Sequence, residues 1–309
     1  MDATEPATST PSSTDRFDVA IVGGSMAGLT AALVLGRARR RVVVIDAGHP
    51  MNEGVAHSQG FPTRDGVAPT ELVALLRDEV AVYGVTVIDG RVGAVARNDE
   101  GFTVAVDGHE DLVARRVVLA TGGRVDLPDL PGLAEVWGGD AANCPYCHGW
   151  ELQDRRLALI GDQTKVPMMA RILTQWSDDI VAFAGAATDM AAAEQAGIEV
   201  ERRVPVRIVQ TGGRLQGIEV DDGTVVPCGG LFVVGLPVAG SSLAVGLGAA
   251  LDEHGFVAAD REGVTSVPGV YAIGSAVDPT HQLTGAADSG TRAARWLNHD
   301  LIEEDLAAR

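Results

Sequence analysis

Cysteine is scarce in this chain, with three among 309 residues at Cys144, Cys147 and Cys228. So few, so unevenly spaced, exclude a disulfide-stapled secreted scaffold. Basic residues are also short. Lys and Arg number 24 against 42 Asp and Glu, a formal net charge of −18. Such a surface repels nucleic acid and anionic membranes, so neither is expected as a partner. No apolar run approaches the roughly 20 residues that cross a bilayer. Residues 1–14 are polar and rich in Ser, Thr and Pro, which predicts a disordered tail rather than a signal peptide. The expected location is the cytoplasm.

What is abundant is glycine, at 38 residues, and apolar side chains, at 46%. The first supplies tight turns and close backbone approaches, and the second supplies a core. The length accommodates two domains at roughly 100–200 residues each.

Two stretches repeat one pattern. Residues 17–22 form a short apolar strand that stops at Gly23. A helix pattern follows from Ala27 to Gly36, then a second buried strand over 40–46 that ends in Asp46. Strand, glycine turn, helix, strand and acid form the opening unit of a dinucleotide fold. Gly23 permits the sharp turn, Gly28 lets the helix lie close to the sheet, and Ser25 stands at the middle glycine position. The backbone N–H groups between them suit a pyrophosphate, and Asp46 suits ribose hydroxyls. The competing reading is a glycine turn in an ordinary α/β domain.

The second copy starts with the strand 156–161 and continues with a helix over 165–177 and a strand over 179–183. Its turn is worn. Of Gly161-Asp162-Gln163-Thr164-Lys165-Val166-Pro167 only the first glycine remains, and Asp162 sets a carboxylate where a pyrophosphate would lie or else caps the helix. No arginine cluster follows the strand over 179–183. This domain keeps the fold and is degenerate for nicotinamide, unless it binds NAD(P)H in an unusual way.

The expected architecture is α/β, with two Rossmann-like, three-layer ββα nucleotide-binding domains, the second inserted in the first. The first spans 15–122 and 244–309, and the second spans 123–243. Between 123 and 143 the chain is rich in Gly, Pro and Asp and reads as a crossover. Further strands are expected near 102–108, 111–122, 204–210, 215–221, 225–234 and 270–274. Helices are expected over 70–83 and from about Gly285 to His299.

Asn143-Cys144-Pro145-Tyr146-Cys147-His148-Gly149-Trp150-Glu151 carries the chemistry. Two residues between cysteines suit a short redox loop opening a helix, whose N-terminus favours thiolate. A zinc site would need four ligands, and Cys228 lies far along the chain in a core-like strand context. His148 suits proton transfer at neutral pH or simple packing. Trp150 suits a substrate surface or the core.

On these residues the chain resembles the low-molecular-weight thioredoxin reductase family over about 16–300. The resemblance rests on Gly23–Gly28, Asp46, Ala120-Thr121-Gly122, Cys144–Cys147 and GVYAIGSAVDPTHQLTGAADSG at 269–290. It implies FAD in the first domain, held around Gly23, Ser25, Ala27, Gly28, Asp46, Ala47, Val92, Ala120, Thr121, Gly122, Gly274, Ser275, Gln282 and Leu283. It also implies a homodimer, Cys144 as the exchanging sulfur and Cys147 as the sulfur that faces the flavin; with too few ligands near the cysteine pair, no metal is expected.

Three positions depart from that family. Ser275 stands where aspartate is usual, His281 where arginine is usual, and His148 where an acid is usual. CPYCHGWE is similar to the narrower branch of dithiol oxidases that close disulfides in small natural products such as holomycin and gliotoxin. That branch implies a small dithiol substrate, oxygen as acceptor, hydrogen peroxide as product, and His148 with His281 as acid–base candidates. An NAD(P)H-dependent disulfide reductase and an FAD-holding redox sensor are the competing functions.

Overall fold

The computed structural model describes residues 15–52, 54–235, 237–240 and 242–309. The tail expected at 1–14 lies outside the described residues. The chain runs β1 (Arg16–Val22), α1 (Met26–Arg37), β2 (Val42–Asp46), α2 (Pro69–Ala81), β3 (Thr86–Asp89), β4 (Val92–Asn98), β5 (Gly101–Val106) and β6 (Leu112–Leu119). It continues with β7 (Gly123–Val125), β8 (Ala141–Ala142), α3 (Pro145–Leu152), β9 (Leu157–Gly161), α4 (Val166–Leu173), β10 (Ile180–Phe183) and α5 (Ala191–Gln195). Then come β11 (Glu199–Glu201), β12 (Pro205–Thr211), β13 (Arg214–Val220), β14 (Val225–Pro227) and β15 (Gly230–Val234). The last stretch holds β16 (Pro237–Ala239), α6 (Ser242–Gly246), β17 (Val270–Ala272), a 3-10 turn at Gly274–Ala276, and α7 (Leu283–Ala307).

Two compact units emerge. The first holds the described residues of 1–53, 70–124 and 237–309, and the second those of 54–69 and 125–236. The first unit is therefore interrupted by the second. Residues 54–69, placed with the first domain on sequence, group with the second unit. There Ser58 bridges Val67, and Gly138 lies so close to the Gly54 carbonyl that a Cβ would stand 2.6 Å from it.

In the first unit, β3, β2, β1, β6 and β17 form a parallel sheet, and β4 and β5 extend it as an antiparallel meander. Strand β6 forks. Its start, Leu112–Ala114, pairs with β5, and its end, Val117–Leu119, pairs with β17. Side chains alternate across this sheet as a period of two requires. Ala20, Val22, Val43, Ile45, Val117 and Leu119 pack toward the meander side. Val19, Ile21, Val42, Val44 and Val118 pack with Leu29, Ala32 and Leu35 of α1 and Ala293, Leu297 and Leu301 of α7. Three layers result.

The second unit repeats the plan. The parallel sheet β11-β10-β9-β15-β8 carries α4 on one face and the antiparallel sheet β12-β13-β14 on the other. The run expected as one strand over 225–234 is two strands in two sheets. The chain crosses between them at Cys228-Gly229, and a Cβ on Gly230 would stand 2.7 Å from the Leu157 side chain.

Helix α7 runs eight residues beyond its expected end. Those last turns mix acids with Leu301, Ile302 and Leu306, and of these apolar residues Leu301 is buried. They are fastened by distant arginines. Arg115 reaches Glu304 and Asp305, Arg116 reaches Asp300 and Glu304, and Arg40 reaches Asp305. Among the described residues, no helix is long and apolar enough to cross a membrane.

Candidate active site

The first unit builds a cradle where β1 turns into α1. Gly23 has φ +111°, and a Cβ on it would stand 2.2 Å from the Ala120 carbonyl oxygen. Only glycine fits there. A Cβ on Gly28 would stand 1.9 Å from the Gly23 carbonyl oxygen, so the first turn of α1 lies directly on the loop. Ser25 is the N-cap residue of α1, and no side chain caps that turn. The helix N-terminus thus presents its N–H groups to an anion.

Asp46 stands beside this turn, with its carboxylate within 2.8 Å of where a Gly24 Cβ would be. Its Oδ1 accepts from Gly48 N at 3.2 Å, and its Oδ2 pairs with Arg77 Nη2 at 2.7 Å. Arg77 fixes the carboxylate rotamer and leaves further lone pairs for hydroxyl donors. Sequence reasoning missed Arg77, because it lies on α2, 31 positions away, with no motif marking it.

Other expected cofactor residues gather here. Ala120 follows β6, Thr121 Oγ1 donates to the Gly240 carbonyl at 2.7 Å, and Gly122 continues that turn. Gly274 N donates to Ser289 Oγ at 3.0 Å, and a Gly274 Cβ would stand 2.8 Å from that of Ala27. Ser275 lies in the same 3-10 turn. Ala47 is exposed just past Asp46. Val92 is different: its side chain is buried in the meander core, so only its backbone is available to a ligand.

Gln282 is the N-cap of α7, and Leu283 opens the helix. His281 sits over that first turn, its ring 3.0 Å from where a Gly285 Cβ would be. Its Nε2 lies 3.7 Å from Asp278 Oδ2, and its buried Nδ1 has no hydrogen-bond partner among the described residues. Burial opposes ionisation of Asp278, yet bonds from the Thr280 hydroxyl and amide, with His281 nearby, hold its pKa below the ordinary value.

In the second unit, Cys144 is the N-cap of α3, and Pro145 occupies the first turn. Cys147 N and His148 N both donate to the Cys144 carbonyl at 3.1 Å. The two sulfurs therefore span one helical turn at a positive helix end, where thiolate is favoured. Both cysteines are half-buried. Gly149 lets the Trp176 ring pack on the helix, since a Cβ would stand 2.7 Å from that ring. Tyr146 meets Trp176 edge to face at 5.4 Å. Trp150 is 72% exposed, so it is not a core residue.

His148 Nδ1 is buried without a hydrogen-bond partner among the described residues. Burial pushes the His148 imidazole below its ordinary pKa, and Glu151 pulls part of the way back. Cys228 is buried in the core, and that burial pushes its thiol up to about 12. No group of three or more His, Cys, Asp or Glu among the described residues could hold a metal ion.

The second turn, at Gly161, keeps one feature of the first. Gly161 has φ +121°, and its Cβ would stand 2.1 Å from the Val234 carbonyl oxygen. Beyond that glycine the chain's own atoms occupy the mouth. Asp162 Oδ1 accepts from Thr164 N at 2.9 Å and from Thr164 Oγ1 at 2.7 Å, and those bonds lower its pKa. Gln163 Nε2 donates to the Gly161 carbonyl at 2.8 Å, while its Oε1 accepts from Gly185 N at 2.6 Å. Val166, fully buried, stands five residues after the turn glycine, as Gly28 does in the first unit.

The sequence expectation of no arginine cluster here needs correction. Arg202 and Arg203, just after β11, line the same crevice, whose volume is about 330 Å³. Both are committed. Arg202 Nη1 donates to the Gly185 and Thr188 carbonyls at 2.8 and 3.1 Å, and Arg203 binds Glu201 and Asp222.

The geometry is that of a two-domain nucleotide-binding disulfide oxidoreductase, and the sequence belongs to the Pyridine nucleotide-disulphide oxidoreductase family, matching it over 17–163 and 164–291. The chain is of the thioredoxin reductase-like kind within it, and its cofactor is FAD. The glycine turn, the uncapped N-terminus of α1 and Asp46 all fit that group. The chain is 41% identical to HlmI, with 97% of each chain covered and a TM-score of 0.91. It is 31% identical to the putative thioredoxin reductase TrxB of Bacillus anthracis, covering 94% of this chain and 99% of that one, with a TM-score of 0.89. It is also 27% identical to thioredoxin reductase sirT of Leptosphaeria maculans, over 95% of this chain and 97% of that relative.

Proposed function

We propose that this chain is an FAD-dependent dithiol oxidase that closes an intramolecular disulfide in a small natural-product dithiol. Oxygen is the acceptor, hydrogen peroxide the product, and the working form a homodimer. The observation that carries the reading is the filled mouth of the second nucleotide crevice. Asp162 puts negative charge beside the helix end that would receive a pyrophosphate, and Gln163 ties the two strand ends together. A nicotinamide dinucleotide must displace both. The cysteine pair, by contrast, keeps a helix N-terminus and an adjacent imidazole.

The cycle starts from the Cys144–Cys147 disulfide. A substrate thiolate attacks the Cys144 sulfur, the S–S bond breaks, and Cys147 leaves as thiolate. The second substrate thiolate attacks the substrate sulfur of the mixed disulfide, so Cys144 leaves and the cyclic disulfide is released. The positive end of α3 stabilises each departing cysteine thiolate. His148, largely neutral near pH 7, takes the substrate thiol protons, and His281 is the second acid–base candidate. The cradle around Gly23 and Asp46 would hold FAD, which would supply the two-electron acceptance that returns Cys144 and Cys147 to the disulfide and the passage of that pair to oxygen.

Anaerobic photometry of the holoprotein tests this. A small dithiol should bleach the flavin and NADPH or NADH should not. Admitting air should restore the colour and release peroxide. Saturable bleaching by NADPH with no response to dithiols would make the chain a reductase.

A further inference from the structure

A groove of about 460 Å³ in the first unit is walled by Arg261, Glu262, Arg292, Arg295, Trp296 and His299, none of which serves the redox chemistry above. The four helical residues stand at i, i+3, i+4 and i+7, so they share one face of α7. The other wall is the turn over 260–264. Asp260 Oδ1 accepts from Glu262 N at 3.0 Å and from Val264 N at 2.9 Å. Gly263, at φ +79°, seats that turn on α7, since a Cβ there would stand 3.1 Å from that of Ala293. Both walls are therefore set before anything binds.

The groove gathers unmet donors. In a chain of net charge −18, neither Arg261 nor Arg295 makes an ion pair among the described residues. Arg292 Nε donates to Asp288 Oδ2 at 2.8 Å, but its Nη1 is buried with no hydrogen-bond partner among the described residues. A buried donor without an acceptor is costly, so an acceptor belongs there. Trp296 is 51% exposed, and the His299 ring stacks on it at 5.9 Å and 20°. The indole is braced and still open to a second ring.

We propose that this groove binds a nucleoside monophosphate. Arg261, Arg292 and Arg295 offer forked N–H donors to the phosphate oxygens. Trp296 stacks on the planar base. The Glu262 carboxylate, which makes no ion pair among the described residues, accepts from the ribose hydroxyls. An inorganic anion alone would leave Trp296 and Glu262 without a role, and an uncharged ring would leave the arginines unmet. The site is independent of the dithiol chemistry above.

Calorimetric titration of the FAD-loaded protein tests this, with adenosine and guanosine 5′-monophosphate, the two free nucleosides and inorganic phosphate as probes. A monophosphate should bind saturably and at least about tenfold more tightly than its nucleoside or phosphate. Arg261→Ala and Arg295→Ala should each weaken it by at least about tenfold. Trp296→Ala should reduce it to the affinity of phosphate. The nucleotide should quench indole fluorescence in wild type and far less in Trp296→Phe. Flavin absorbance and dithiol turnover should stay at wild-type levels in every variant. No saturable binding of either monophosphate, equal affinity for monophosphate and phosphate, or binding that survives both arginine replacements would overturn the proposal. If Trp296→Ala fails to fold, the arginine variants and the Trp296→Phe fluorescence decide.

Discussion

Gln163 and Gly185 are joined by a hydrogen bond of 2.6 Å from the Gly185 amide to the Gln163 side-chain oxygen. The bond ties the end of β9 to the end of β10 across the position where an open α/β sheet receives a dinucleotide. Removing the tie together with the neighbouring carboxylate should therefore help a dinucleotide bind. Asp162→Gly with Gln163→Ala should raise NADPH affinity by about tenfold or more, or 1.4 kcal/mol, in calorimetric titration. An unchanged affinity would mean that the crevice is closed by something else.

Cys144→Ser and Cys147→Ser should each lower dithiol turnover by at least about a thousandfold, as loss of a nucleophile does. Bound flavin and thermal stability should stay near wild type, because both sulfurs sit on a half-exposed helix end. Peroxide release under air is the readout.

The pH dependence follows from His148. Its folded pKa lies below the ordinary value because of burial, with Glu151 partly offsetting. Turnover that needs neutral imidazole should therefore persist to lower pH than free imidazole allows, with its acid limb below about 6.5. Glu151→Gln removes the attraction for imidazolium and should move that limb lower still. His148→Gln should abolish it. For stability, the unfolded chain binds this proton more tightly, so the folded state loses ground as pH falls from about 6.5 toward the folded value. Steady-state pH profiles and acid unfolding check the two halves.

Gly28→Val should cost about 3–5 kcal/mol or abolish folding, since its branches would lie inside the Gly23 carbonyl. Any folded fraction should carry little flavin, measured as visible absorbance per protein.

Arg115→Ala should cost about 1–3 kcal/mol, because it links Asp18 of β1 to Glu304 and Asp305 near the end of α7. Thermal unfolding should shift down by several degrees, and hydrogen exchange should rise first in the last turns of α7.

Local chemistry explains what the sequence disclosed. The turn at Gly23, the acid at Asp46 and the Cys144–Cys147 spacing are set by contacts a few residues long or by strand periodicity. The remainder depended on distant partners. The last turns of α7 bury Leu301 and are held at their acids by Arg40, Arg115 and Arg116. Arg77 approaches Asp46 only because α2 and β2 meet in the fold. Arg202 and Arg203 follow β11 rather than β10, and they reach the crevice because β11 lies beside β10. Within 225–234 the apolar run is continuous, and only the partners of β14 and β15 separate it into two sheets.

Cys228 has one practical consequence. A thiol held near 12 and sealed in the core is silent to alkylating reagents at neutral pH. Labelling the native protein should therefore count only the sulfurs of α3. The number of modified groups per chain becomes a direct gauge of how many enzyme molecules are storing an electron pair at any moment of turnover.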